Sequence, residues 1–189
     1  PVVPKCAPML DNASGTIDPR STIDLSGLPH YIAMPELAAF ANSGFPFTRL
    51  ADLAETAVVL PNNAGAAEYS AYLALMGHLG ESTGYPATRV TVARADQIDS
   101  VSNKDLLVIA SGDQPLLKAA PANGEIAYTS TGASAIYAGF ESPLQSGRSV
   151  VLVAASEPAQ LNVALDALFG GEGYERPIQG SLSVIRDKQ

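Results

Sequence analysis

The chain has 189 residues, 47% hydrophobic and 16% charged, with a formal net charge of −8. That apolar share supports a packed core and excludes a disordered chain, while the acidic surplus disfavours nucleic acid and anionic lipid as partners. A single cysteine, Cys6, excludes an internal disulfide, and no apolar run approaches the roughly 20 residues that span a bilayer.

Residues 1–29 are rich in Pro and Ser, with little periodicity, and read as a linker or the tail of a preceding module. Thr22 to Leu25 could form a short strand. The start at Pro1 and the lack of a signal peptide read as a piece of something longer. Residues 30–189 then carry α/β patterning. Met34 to Asn42 reads as a short helix, with Pro35 in its first turn and Gly44 after its end. Ala57-Val58-Val59-Leu60 is a compact apolar run closed by Pro61-Asn62-Asn63, a buried strand with its exit loop. A helix follows from about Ala64, with Tyr69, Tyr72, Leu73 and Met76 on one stripe and a stop at Gly84 and Pro86. Arg89 to Ala93 alternates as a strand. Leu106 to Ala110 is a second apolar strand, followed by Ser111-Gly112-Asp113 and a short helix around Pro115 to Ala119.

Ala135 to Phe140 alternates weakly and reads as an edge strand. Ser149 to Ala155 is a third buried strand. Ser156 is placed to cap the next helix, whose apolar stripe is Leu161, Ala164, Leu165 and Leu168. Gly170-Gly171 ends that helix, and Ser181 to Ile185 is a final strand. Strands that are apolar throughout, separated by amphipathic helices, predict a mostly parallel sheet covered on both faces. The expected fold is therefore α/β, a three-layer, doubly wound, flavodoxin-like domain.

Such a fold binds ligands at the carboxyl edge of its strands. The loops there are Pro61 to Gly65, Ser111-Gly112-Asp113 and Ser156-Glu157-Pro158. None is a phosphate cradle, and neither a Walker pattern nor GxGxxG occurs. Thr129 to Ser134 resembles a hydroxyl-rich phosphate loop but does not follow a first strand, so no flavin or other cofactor is expected. Cys6 reads as an incidental thiol. His30 and His78 lack the spacing of a metal site, and the serines lack a GxSxG elbow. Asp52 and Glu55 lie at i, i+3, where carboxylates are normally solvated rather than astride a glycosidic bond. No catalytic or metal residues are assigned, and the chain is read as not an enzyme. Arg49-Leu50-Ala51-Asp52 matches RxxD, a short pattern found where proteins grip cyclic di-GMP; the match is too short to carry weight alone. Phe45-Pro46-Phe47 is a rigid aromatic loop, to be buried against the sheet or offered to a partner. Phe45, Phe47 and Arg49 are the candidate contact residues for a partner.

The stretch His30 to Thr56, HYIAMPELAAFANSGFPFTRLADLAET, resembles the periplasmic regulatory subunit of bacterial cellulose synthase, the BcsB family. Gly84-Tyr85-Pro86, Asn103 to Ile109, Phe140 to Leu144, Gly147 to Val151 and Gly180 to Arg186 support it, in the family's order. The resemblance runs from about Ile23 to Arg186 and falls on the family's second flavodoxin-like domain. It implies a non-catalytic subunit of the synthase complex that supports and guides cellulose, a β-1,4-glucan. The implied partners are the catalytic subunit, neighbouring β-sandwich modules of the same subunit, other copies of itself, and nascent cellulose. The implied location is periplasmic, anchored to the inner membrane by a C-terminal helix that this chain does not contain. A cyclic di-GMP-binding regulatory role is the alternative. Residues 118–138 look shorter than the family pattern, and a segment is expected to be missing there.

Overall fold

The computed structural model describes residues 18, 21–22, 36–112, 133–170 and 178–186. The chain divides into two units, Pro1–Ile32 and Ala33–Gln189. In the first, the Ser21 N–H donates to the Asp18 carbonyl at 2.8 Å. The second is a mixed α/β unit. Its described elements are α1 (Leu37–Ser43), β1 (Thr56–Leu60), α2 (Ala66–Thr83), β2 (Thr91–Arg94), β3 (Asp105–Ser111), β4 (Ala135–Glu141), β5 (Ser149–Ala155), α3 (Gln160–Leu168) and β6 (Leu182–Ile185). Short 3-10 turns span Phe47–Arg49 and Ala95–Val101.

The six strands form one sheet in the order β2-β1-β3-β5-β4-β6. The pairs β1–β2, β1–β3 and β3–β5 are parallel, and β4 runs antiparallel to both β5 and β6. Every residue of β1 and β5 is buried, as is β3 from Asp105 to Ala110. Parallel strands with both faces covered need apolar residues at every position, which is why these segments show no alternation. Ala135 to Phe140, expected at an edge, instead lies inside the sheet between β5 and β6. Small residues, Ala138 and Gly139 among them, weaken its apolar pattern, yet the strand is buried from Ala135 to Phe140.

Register puts Val58 beside Leu107 and Leu107 beside Val151, one row across the sheet. That face packs against Leu37 and Phe40 of α1, Leu75 and Leu79 of α2, and Leu161, Ala164 and Leu165 of α3. The opposite face carries Ala57, Leu106, Val108, Val150 and Leu152, and receives Ile98 and Val101 from the second 3-10 turn. Each buried aliphatic side chain contributes about 1.5–3 kcal/mol over exposure, so these two clusters dominate stability. An aromatic group fills the sheet's helical side. Phe40 meets Phe47 edge to face at 5.8 Å, and Phe40 lies 6.1 Å from Tyr137. The Tyr137 hydroxyl donates to the Ala164 carbonyl at 2.8 Å, tying β4 to α3, and burial pushes its pKa up.

The helices depart from expectation in two details. On α2 the buried line is Ala71, Leu75 and Leu79, while Tyr69 and Leu73 are exposed at 50% and 66%. Ser156 does not cap α3. Its hydroxyl accepts the Ser134 N–H at 3.0 Å, and the cap position is Ala159. Gly84 ends α2 as expected, in the left-handed region at φ 66°. The readings at Cys6, Thr22 to Leu25, His30, Pro115 to Ala119 and Thr129 to Ser134 fall wholly or largely outside the described residues.

Two glycines on these helices carry opposite consequences. Gly44 ends α1 at φ 71°, and a Cβ there would collide with the Leu79 and Thr48 side chains. Gly77 sits inside α2, with nothing within 4 Å of where its Cβ would stand. We expect Gly44→Ala to lower unfolding free energy by more than about 1 kcal/mol, and Gly77→Ala to raise it by about 0.5–1 kcal/mol. Urea denaturation of both variants checks the opposite signs.

Candidate functional site

Chain reversal in the strand order occurs beside β1 and β3, where open α/β sheets place ligands at the carboxyl edge. The residue that occupies this place is Glu68, buried at 5% exposure in the first turn of α2. One carboxylate oxygen accepts the Gly65 N–H at 2.9 Å, half of a capping box. The other accepts the Ser111 hydroxyl, from the end of β3. Burial alone would raise the Glu68 pKa. The bonds from Ser111, from its own N–H and from Gly65 outweigh it and hold the carboxyl below its ordinary value. A helix N-terminus attracts an anion, and here the protein supplies its own.

The neighbouring loops are likewise tied to each other. The Asn62 side-chain oxygen accepts the Asp96 N–H at 3.1 Å. The Gly112 N–H donates to Ala155, and the Ser156 N–H donates to Ser134, both at 2.9 Å. Among the described residues, no three His, Cys, Asp or Glu side chains gather as a metal site.

The amino edge holds the main ionic cluster. Asp105 opens β3 with its side chain only 2% exposed. Oδ1 accepts the Ser149 N–H of β5 at 2.9 Å. Oδ2 accepts from Arg49 at 2.6 Å and lies 3.5 Å from the Arg148 guanidinium. Both arginines also donate to Glu55, at 2.7 Å and 3.0 Å. The Glu55 pKa is lowered, first by the Arg148 hydrogen bond and then by the Arg49 charge. Beside this cluster, the Lys104 ammonium donates to the Ala54 carbonyl at 2.7 Å and to Thr91 of β2 at 2.9 Å. Arg89 pairs with Asp52 at 3.3 Å. Side chains thus stitch together the amino ends of all four parallel strands.

The residues singled out from sequence fall into three situations. Phe47 is buried, only 2% exposed, and its carbonyl accepts the Thr56 hydroxyl at 3.3 Å. Phe45 is half-buried, and the bond between it and Pro46 is cis. Arg49 is 41% exposed at its side chain and engaged by two carboxylates. The RxxD pair is split, since Asp52 belongs to Arg89 rather than to Arg49. Sequence reading passed over Asp105, Arg148 and Glu68. The available signal was position: Asp105 and Arg148 directly precede wholly apolar strands, and Glu68 stands at the third position of a helix after Gly65.

These features define a mostly parallel α/β domain in which, among the described residues, the carboxyl-edge loops are bonded to one another. Residues 30–124 match the family described as "Cellulose synthase BcsB, second FD domain". The chain belongs to that family. It is 46% identical to a "Cyclic di-GMP-binding protein" of Pseudomonas fluorescens (strain SBW25), covering 96% of this chain and 29% of the relative. A protein of the same name from Xanthomonas axonopodis pv. citri (strain 306) is 39% identical, over 96% of this chain and 28% of its own length. "Cellulose synthase 1" of Komagataeibacter xylinus is 36% identical, over 89% of this chain and 13% of its own length. The chain therefore spans less than a third of each of these relatives.

Two outcomes follow. Removing Asp105 leaves two arginines and a strand amide without their buried acceptor. Asp105→Ala is expected to cost about 2–4 kcal/mol, below the usual cost for a buried pair because both arginines keep some water. Arg49→Ala leaves the buried Asp105 with Arg148 and the Ser149 amide, and is expected to cost about 1–2 kcal/mol, less than Asp105→Ala. Equilibrium unfolding of both gives the ordering. The second concerns acid. Glu55 and Glu68 have lowered pKa values in the fold. Their stabilisation is complete above the ordinary glutamate value of about 4.3 and is lost as pH falls through their lower folded values. Midpoints of thermal unfolding should therefore fall below that pH, and less steeply in Glu68→Gln.

Proposed function

We propose that this chain is a non-catalytic supporting domain of a bacterial cellulose synthase complex. In this reading it is a doubly wound, flavodoxin-like domain of a periplasmic subunit held at the inner membrane. Among the described residues no helix is long and apolar enough to cross a membrane. The observation that carries the non-catalytic reading is Glu68 seated at the switch point, bonded to Gly65 and Ser111. A site already filled by a satisfied carboxylate is poorly suited to a phosphate or a reacting group. The family and the relative named "Cellulose synthase 1" support the choice of complex. The proposed partners are the catalytic subunit, adjoining β-sandwich modules, other copies of the same subunit and the emerging glucan. Residues 1–29 serve as the connection from the preceding module, and a segment is absent within 118–138.

A second reading, binding of cyclic di-GMP, is favoured by the names of two of the relatives above. Against it stand the net charge of −8 and the engagement of Arg49 by Glu55 and Asp105. Arg49 and Phe45 remain the proposed contact residues for a partner or glucan; Phe47 contributes by seating that loop.

Affinity capture from cellulose-producing membranes tests the role, using the tagged full-length subunit that contains this chain. Recovery of the catalytic subunit is expected, with less recovered by a Phe45→Ala, Arg49→Ala double variant. Calorimetry of the 189-residue chain with cyclic di-GMP should show no binding at micromolar concentration. Micromolar binding there, or capture without the catalytic subunit, would reverse the reading.

A further inference from the structure

Helices α2 and α3 leave an open groove of about 500 Å³ between them. None of its lining residues belongs to the clusters described above. Its lining has two chemical characters. Leu168 and Phe169 form an apolar wall, and Phe169 remains 44% exposed. His78, Glu81 and Ser82 supply the polar side. Gly77 lies in the floor, and nothing stands within 4 Å of its missing Cβ position. The His78 ring lies 5.2 Å from that of Phe169, and its Nε2 is buried without a hydrogen-bond partner among the described residues.

The volume suits a small ligand or one segment of a polymer. Charge narrows the choice. Glu81 is the sole formal charge in the lining, so an anionic nucleotide meets repulsion and no cation to hold it. A neutral ligand with one apolar face and a rim of hydroxyls fits both walls. A pyranose ring has that construction, stacking its C–H face on an aromatic ring and bonding its edge to side chains. We propose that the α2–α3 groove binds a neutral β-linked glucan, with Phe169 as the stacking platform and Glu81 and Ser82 toward the hydroxyls. The choice of glucan over other neutral sugars rests on the accessory role proposed above. The groove is open rather than enclosed, which suits a passing chain better than a sealed monosaccharide.

Titration of the isotopically labelled 189-residue chain with cellohexaose, followed by NMR, tests this. Saturable shifts are expected at the Gly77 amide and the His78 ring. Phe169→Ala should weaken binding about tenfold. Gly77→Leu should abolish it by filling the floor while leaving the helix at least as stable, so loss of folding cannot account for the result. No saturable shift at millimolar cellohexaose, equal binding of α-linked maltohexaose, or full binding by Gly77→Leu would overturn the assignment. Capture of the catalytic subunit by the full-length protein separates the two claims. Retained capture with no cellohexaose binding by the wild-type chain removes the groove and leaves the accessory role standing. Loss of capture by wild type removes the role itself.

Discussion

Asp105 is the point on which the architecture depends. Its two oxygens face different tasks: one takes the backbone N–H of Ser149, the other takes the guanidinium groups. A carboxylate only 2% exposed is stable when such partners surround it. Completing them requires Arg49 from the loop before β1 and Arg148 from the turn before β5 to converge at the head of β3. The register of three strands and the position of the Phe45-Pro46-Phe47 loop are therefore coupled through one side chain. That loop in turn seats Phe47 against Phe40, and Phe40 against Tyr137 in β4. A local ionic constraint is passed into the core by aromatic packing.

The opposite edge is closed by similar means. Glu68 joins the exit of β1 to the exit of β3, and the Ser134–Ser156 pair joins β4 to β5. In an enzyme of this general architecture the carboxyl edge is where polar groups are left ready for a ligand. Here, among the described residues, those groups are spent on one another. Rigidity at both ends of the strands fits a part that bears neighbours in an assembly. The helical side carries the open groove between α2 and α3, lined by Phe169 and Glu81.

Much of the sheet was legible because burial on both faces leaves a plain trace. Ala57 to Leu60, Leu106 to Ala110 and Ser149 to Ala155 are apolar with hardly an interruption, and nothing else in a chain of this kind has that reason to be so. Helix α2 was harder. Its sequence is apolar on nearly every side, so periodicity does not choose between Tyr69 with Leu73 and Ala71 with Leu75. Tertiary contact chose the smaller residue beside the sheet. The inner position of β4 was invisible because strand order is not a local property. The Asp105 cluster was invisible for the same reason: its arginines lie 56 and 43 residues away in sequence. Phe45 and Phe47 looked alike as a pair, yet one enters the core and the other stays half-buried. The family was legible at His30 to Thr56 and was met again in the match over residues 30–124.

The claim beneath all of this is that both ends of the parallel sheet are locked into one rigid body. Native-state hydrogen exchange on the Ser149 and Gly65 amides measures it directly, since each donates to a buried carboxylate at an opposite edge. Both are expected to exchange only through the same global opening that exposes Leu107 in the centre of β3. Exchange of either amide through local opening, with Leu107 still protected, would contradict it.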